Sequence, residues 1–291
     1  MAASDLTTLA AVKQWLARTD TNSDAQLSAM IASTSRFILS WLQRPQILPR
    51  TLTELRDGTG TQAMVLRAWP AISVSSLIVD NQTIPPSPAM TGSNTSVSGT
   101  TVLLGGAREP GWMLEGWDGA PPGRPQTLSL SGYSFGLSFP GARNFQDVQI
   151  VYVTGYQVSG EAQVVSGGKA SVIAPYGAWA SDCGVAYANG AALVSVPSSP
   201  AVGEYALDTE AGVYDFNAGD NGQTVLISYG YVPADLADAC VELVSERYRY
   251  SQRIGERSHS LGGNETVSFD ATRLTPLIQS ILAPYRQLLP V

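Results

Sequence analysis

The stretch Leu6–Arg44, LTTLAAVKQWLARTDTNSDAQLSAMIASTSRFILSWLQR, decides how the rest of the chain is read. Leu6, Leu9, Val12 and Leu16, with Trp15, recur at helical spacing, which predicts a first helix. The run TDTNS (Thr19 to Ser23) breaks it. Ser23 is a suitable N-cap for a second helix, and Asp24 in its first turn suits the helix dipole. Leu27, Met30, Ile31, Phe37, Ile38, Trp41 and Leu42 then form one apolar stripe. Arg44 ahead of Pro45 marks the end, because a residue preceding proline is pushed out of the α region. A helical hairpin of this size cannot bury its stripe alone.

The matching sequence lies at the other end of the chain. Pro233 suits a first helical position, where its missing N–H costs nothing. Leu236, Ala239, Cys240, Leu243, Val244 and Tyr248 follow as a second apolar stripe, and Gly255 is expected to end that helix. ERSHSLGGNETVSFD reads as a linker, and Pro276 to Leu288, with Leu277, Ile281 and Leu282, as a short final helix. Between these ends the pattern changes. LTEL, MVLRAW and VSSLIV are short runs rich in branched residues, expected as a β meander with a turn at Asp57-Gly58. Residues 81 to 125 are rich in Pro, Gly and Ser and read as long loops around strands near Thr101–Leu104. TLSLSGY and VQIVYVTGY restore the strand signal, and GVAYANG, GVYDF and TVLISYGY predict a further small β unit beginning near Gly160.

The fold class expected is therefore α+β: a discontinuous helical domain from both termini with a large inserted β region, made of a β meander and a small β subdomain. Expected boundaries are 1–50 with 231–291 for the helical core, 51–159 for the β-rich insertion and 160–230 for the accessory subdomain.

Composition narrows function. Only 14% of the 291 residues are charged and the net charge is −7, with one histidine. A duplex-DNA binder shows a basic footprint, which this chain lacks. The acidity suits plain solubility, or a surface that nucleic acid slides past. Cys183 and Cys240 are expected as reduced thiols in an intracellular setting, being too few for a disulfide framework or a zinc site. MAASDLTTLAAVKQW lacks a basic start followed by an apolar run, so no signal peptide is expected. No stretch approaches membrane-spanning length, and the sequons at Asn81, Asn94 and Asn264 read as chance matches.

Catalytic sets are sparse. His259 sits among Ser and Gly, and as a base would need a nucleophile and an orienting carboxylate nearby. Glu109/Glu115 and Asp208/Glu210 are the nearest carboxylate pairs for two-acid hydrolysis, each among turn residues that suit a solvated loop charge. The glycine clusters at Gly58-Thr59-Gly60, Gly105-Gly106 and Gly262-Gly263 match no phosphate-binding fingerprint and read as tight turns. No cofactor or metal is expected, and no enzymatic activity. Arg247, Arg249, Arg253 and Arg257 crowd the end of the third helix. The helix dipole favours cations there, and they could also contact phosphate or acids of a neighbouring subunit; subunit contacts are the favoured reading.

The terminal blocks resemble the head–tail connector family of long-tailed bacteriophages, also called adaptor or head-completion proteins. The resemblance rests on LTTLAAVKQWL with SDAQLSAMIASTSRFILSWLQRP, then TLTELRDGTG with AWPAISVSSLIVD, then VPADLADACVELVSERYRYSQRIGERSHSLGG with LAPYR. These cover about half the chain in the family's order; the long region from about 81 to 228 departs from it.

The resemblance implies a non-enzymatic virion protein at the head–tail interface, assembled in the host cytoplasm as a dodecamer-like ring of about twelve identical subunits closed by cyclic symmetry. Such a ring docks on the portal protein, meets a stopper or tail-terminator protein, and lets DNA pass through its bore at ejection without sequence-specific binding. It also implies that the C-terminal segment, here Tyr285, Arg286, Leu288, Leu289 and Val291, reaches the portal; the same residues could instead cap the protein's own core. The alternative is a secreted or surface carbohydrate-binding β module, suggested by Trp112, Trp117, Trp179 and Tyr187 among loops. That reading predicts a leader peptide and no terminal helices.

Overall fold

The computed structural model describes residues 4–87, 111–116, 120–131, 139, 146–208, 211–251, 258–261, 265–268 and 274–287. The chain opens with helices α1 (Leu9–Trp15) and α2 (Asp24–Trp41). Strands β1 (Arg50–Arg56), β2 (Ala63–Val65), β3 (Ala71–Val79), β4 (Gln82–Ile84), β5 (Gly111–Leu114), β6 (Thr127–Ser131) and β7 (Val148–Thr154) follow. Next come β8 (Gln157–Val164), β9 (Lys169–Ser171), β10 (Gly177–Tyr187), β11 (Val194–Ser195), β12 (Glu204–Leu207), β13 (Val213–Phe216) and β14 (Thr224–Pro233). The end holds α3 (Ala234–Ser251), β15 (Ser258–Leu261), β16 (Glu265–Ser268) and α4 (Pro276–Leu282).

The expected fold class is corrected by this inventory. Sixteen strands stand against four α-helices among the described residues, and two of those helices are only 7 residues long. The strands form four sheets of three or four strands and one two-stranded ribbon. The protein is mostly β, not a helical domain carrying a β insertion. The reading from sequence gave the helical stripes too much weight because their 3.6-residue period is conspicuous, whereas β8, β9, β11 and β12 lie in Gly- and Ser-bearing sequence with little alternation. The presumed linker itself contributes the β15–β16 ribbon.

The meander is corrected too. β1 does not pair with β2; its whole length pairs antiparallel with β7, from Arg50 opposite Thr154 to Arg56 opposite Val148. β7 also pairs with β3, giving the order β1-β7-β3-β4. Asp57 and Gly58 therefore make no hairpin between β1 and β2. Asp57 Oδ1 accepts the Gln146 N–H at 2.8 Å, and Asp147 Oδ1 accepts the Gly58 N–H at 2.8 Å, so two carboxylates tie together the ends of distant strands.

The chain divides into two compact units: residues 1–46 with 232–286, and residues 47–231 with 287–291. In the first, the α2 stripe Leu27, Ile31, Ile38 and Leu39 and the α3 stripe Leu236, Ala239, Cys240, Leu243, Val244 and Tyr248 are buried. Each leucine, isoleucine or valine among them stabilises the fold by about 1.5–3 kcal/mol on leaving water, before the loss of chain entropy is counted. Polar contacts fix the packing: Ser35 Oγ accepts the Leu6 N–H at 3.0 Å, and Arg44 Nε donates to the Tyr285 carbonyl at 2.6 Å. Thr8 caps α1 and Thr275 caps α4, each accepting a first-turn N–H. Ser23 stands at the N-cap of α2 without that bond, and its Oγ lies 3.0 Å from the Tyr248 hydroxyl instead.

In the second unit the β1-β7-β3-β4 sheet and the β2-β6-β5 sheet share one core. Met64, Leu114, Leu128 and Leu130 meet Leu77, Val148, Ile150 and Tyr152 there. The remaining strands make β10-β14-β8 and β11-β12-β13-β9, whose buried faces carry Tyr205, Tyr214, Phe216, Ile227 and Tyr229. Gly160 lies inside β8 at φ +66°, its N–H donating to Ser228 Oγ at 3.0 Å.

Candidate functional site

The residues singled out from sequence are scattered. Tyr285 is buried in the first unit, its hydroxyl donating to Asp235 Oδ2 at 2.9 Å. Arg286 is exposed, with its guanidinium 5.5 Å from the centre of the Trp41 ring. Leu288, Leu289 and Val291 lie outside the described residues, as do Arg253 and Arg257. Arg247 joins α3 to α2, its Nη1 donating to Ser33 Oγ at 3.0 Å and Thr34 Oγ1 at 2.8 Å, while Arg249 is exposed. The structure thus brings Arg247 onto α2 and leaves Arg249 facing solvent.

Glu115 is bound by Arg124 at 2.8 Å and Asp208 by Lys169; Glu109 and Glu210 lie outside the described residues. Backbone at His259 belongs to β15. Of the glycine clusters only Gly58-Thr59-Gly60 is described, and there Gly60 takes φ +70° as a turn requires. Cys240 is buried beside Ser35, and burial pushes its thiol up to about 11; Cys183 is exposed on β10. Among the described residues no group of three or more His, Cys, Asp or Glu side chains could hold a metal ion, and no helix is long and apolar enough to cross a membrane. Of the aromatics that suggested glycan binding, two are engaged: Trp179 Nε1 donates to the Tyr214 hydroxyl at 3.0 Å and Tyr187 donates to Asp220 at 2.6 Å. Trp117 lies outside the described residues.

A recurrent pairing of tyrosine with carboxylate went unread in the sequence. Tyr152 donates to Glu54 at 2.6 Å, Tyr205 to Asp182 at 2.6 Å, Tyr214 to Asp182 at 3.2 Å, and Tyr229 to Glu161. The signal was compositional: 24 acids stand against 17 Lys and Arg, so acids inside the fold need neutral donors, and tyrosine hydroxyls can serve as such. Burial first, then the adjacent carboxylate, raises Tyr152, Tyr205 and Tyr229 well above the ordinary phenol range; Tyr214 rises chiefly through burial. Burial pulls Glu161 upward, but hydrogen bonds from Tyr229, the Ile173 N–H and Gln163 together leave it below its usual value.

A pH dependence follows. A tyrosine whose folded pKa lies above its unfolded value of about 10 contributes fully below that pH and loses the contribution as pH climbs further. The second unit should therefore melt at progressively lower temperature above about pH 10. The share of tyrosinate absorbance that belongs to Tyr152, Tyr205, Tyr214 and Tyr229 should appear with unfolding rather than before it; early titration of these four in the folded protein would refute the pairing.

Charge and apolar exposure mark the surfaces. Residues 160–230 hold seven acids and one base, Lys169, against −7 for the whole chain. Val164, Ile173, Val194, Val202 and Leu207, between 41% and 76% exposed, lie in the same stretch. In the first unit Trp15 is 62% exposed and Tyr250 49%.

Residues 5–115 match the family model described as Head completion protein. No curated protein matches the chain. The matched residues take in both N-terminal helices and run through β5, so they contain the first two motif blocks and exclude the third. The match takes in 111 of the 291 residues, and over them the chain is similar to phage head completion proteins.

Proposed function

We propose that the protein is a connector: copies form a ring on the portal of the DNA-filled head, join it to the stopper or tail, and let DNA pass through the bore. The observation that carries this reading is the head completion match over residues 5–115. Supporting it are a surface with few charges, apolar side chains left exposed in both units, and an acidic balance that repels phosphate rather than holding it. Cyclic closure with about twelve copies would follow the symmetry of the portal. Tyr285, Arg286, Leu288, Leu289 and Val291 are the proposed portal contact; of these, Tyr285 is buried in the first unit and Arg286 is exposed. Arg247 and Arg249 are proposed at the contact between subunits.

The test mixes purified protein with DNA-filled, portal-bearing heads that lack it, followed by electron microscopy. Rings confined to the portal vertex, and heads that then accept tails, are the expected result. Bare heads together with retention on immobilised oligosaccharides would replace this reading with the glycan-binding one.

A further inference from the structure

The end of the first unit formed by three helices has an unusual surface. Arg18 lies over the Tyr248 ring at 5.3 Å, Ser23 Oγ is 3.0 Å from the Tyr248 hydroxyl, and Gln26 Nε2 donates to Ser251 Oγ at 3.5 Å. These contacts bring together the region after α1, the start of α2 and the end of α3. At this end Trp15, the last residue of α1, and Tyr250 stand largely exposed, with exposed Arg249 next to Tyr250. The nearby Lys13 and Arg18 are already paired, with Asp24 at 2.8 Å and Asp20 at 3.0 Å. Trp, Tyr and Arg are the residues that dominate binding at protein interfaces.

The β11-β12-β13-β9 sheet has the opposite character. Tyr205 and Phe216 face each other across β12 and β13 and are buried, which fixes the inner face. Residues directly opposite in a ladder share a face. Val194 opposite Glu204, and Asp215 opposite Lys169, therefore lie on the other face, where Ala206, opposite Asp215, is itself buried. Val194 is 61% exposed, and Val202, just ahead of β12, 66%. Lys169 is held by Asp208 and by Asp215, the latter at 3.4 Å, so the face presents aliphatic groups within an acidic field. These strands lie outside the residues that match the head completion family, which gives them no role.

We infer that copies of this chain meet head to tail, the Trp15–Arg249–Tyr250 end of one copy seating on the acidic outer face of the β11-β12-β13-β9 sheet of the next. The two surfaces complement each other in charge and both carry exposed apolar groups. Because they differ, the contact is heterologous and repeats from copy to copy, and it closes into a ring when the rotation permits. This inference rests on the ring reading and names the surfaces that would make it.

The test uses full-length protein on heads that lack it, counting rings by electron microscopy. Arg249→Glu and Asp215→Arg, each alone, should lower ring formation about tenfold or more, since like charges then face each other. An equal mixture of the two variants, or both changes in one chain, should restore it, because each reversed charge then meets the other. Trp15→Ser, at an exposed position, should weaken assembly without touching the acidic sheet, and thermal unfolding of each variant confirms that it is folded. If wild-type protein forms no rings, the ring reading fails. Should wild-type rings form while the single reversals assemble as well as wild type, the surface assignment fails and the ring survives. Should both reversals fail without mutual rescue, each surface meets a different partner, and the head-to-tail pairing is overturned.

Discussion

Tyr152→Ala should lower the unfolding free energy of the second unit by about 4 kcal/mol, the cost of a large aromatic side chain lost from a core. Tyr152 is fully buried between β1 and β3, and its removal leaves a cavity among Leu77, Val148 and Ile150. The change also orphans polar groups. The Tyr152 hydroxyl donates to Glu54 Oε1 at 2.6 Å and accepts the Ala68 N–H at 3.1 Å, and Glu54 is only 5% exposed. Tyr152→Phe keeps the ring and removes only the hydroxyl. It should cost about 2 kcal/mol, because Glu54 keeps the Arg67 N–H at 3.1 Å while the Ala68 N–H loses its acceptor. Urea denaturation of the two variants separates the terms: equal losses would mean that the ring's volume contributes nothing.

Gly155→Ala should cost about 3 kcal/mol or more. Gly155 sits at φ +137°, and a Cβ there would lie 2.7 Å from Leu48 C, Leu48 O and Pro49 N. All three are backbone atoms, so no side chain can turn aside. The surrounding chain is held as well, Gly155 N–H donating to Pro70 O and Tyr156 N–H to Ile47 O, each at 3.0 Å. Gly184→Ala provides the control. Its φ is +108° but no atom lies within 4 Å of the added Cβ, so only the backbone conformation is penalised and the loss should stay at about 1–2 kcal/mol. Comparable losses at the two sites in thermal unfolding would rule out the steric account.

The helices were the most legible part of the sequence. Asp24–Trp41 matched its periodic stripe, and every residue of the Leu236-to-Tyr248 stripe is buried. The errors there are local. Phe37 and Trp15, assigned inward, are 39% and 62% exposed, because a stripe of this width has margins and only the packed partner decides where they fall. Pro233 ends β14 instead of opening α3. The strands β6, β7, β13 and β14 were readable from branched and aromatic runs. Their pairing was not: nothing local in LTEL or VSSLIV says that VQIVYVT will lie between them, since register is settled by the shared core. Of the candidate site, the exposed Arg249 was visible as a charge cluster. The tyrosine–carboxylate pairs were hidden, because Tyr152 and Glu54 lie 98 positions apart and carry no motif.

The first unit is assembled from residues 1–46 and 232–286. On the ribosome, the inner face of α2 (Asp24–Trp41) has no α3 (Ala234–Ser251) to lie against until about 190 further residues have been translated. At roughly 5–20 residues per second that delay is on the order of ten to forty seconds. Throughout it Leu27, Ile31 and Ile38 wait uncovered on a nascent chain. Synthesis at low temperature or with chaperones present should therefore raise the yield of native protein, and a gene rearranged to place both segments side by side would spare the chain that interval.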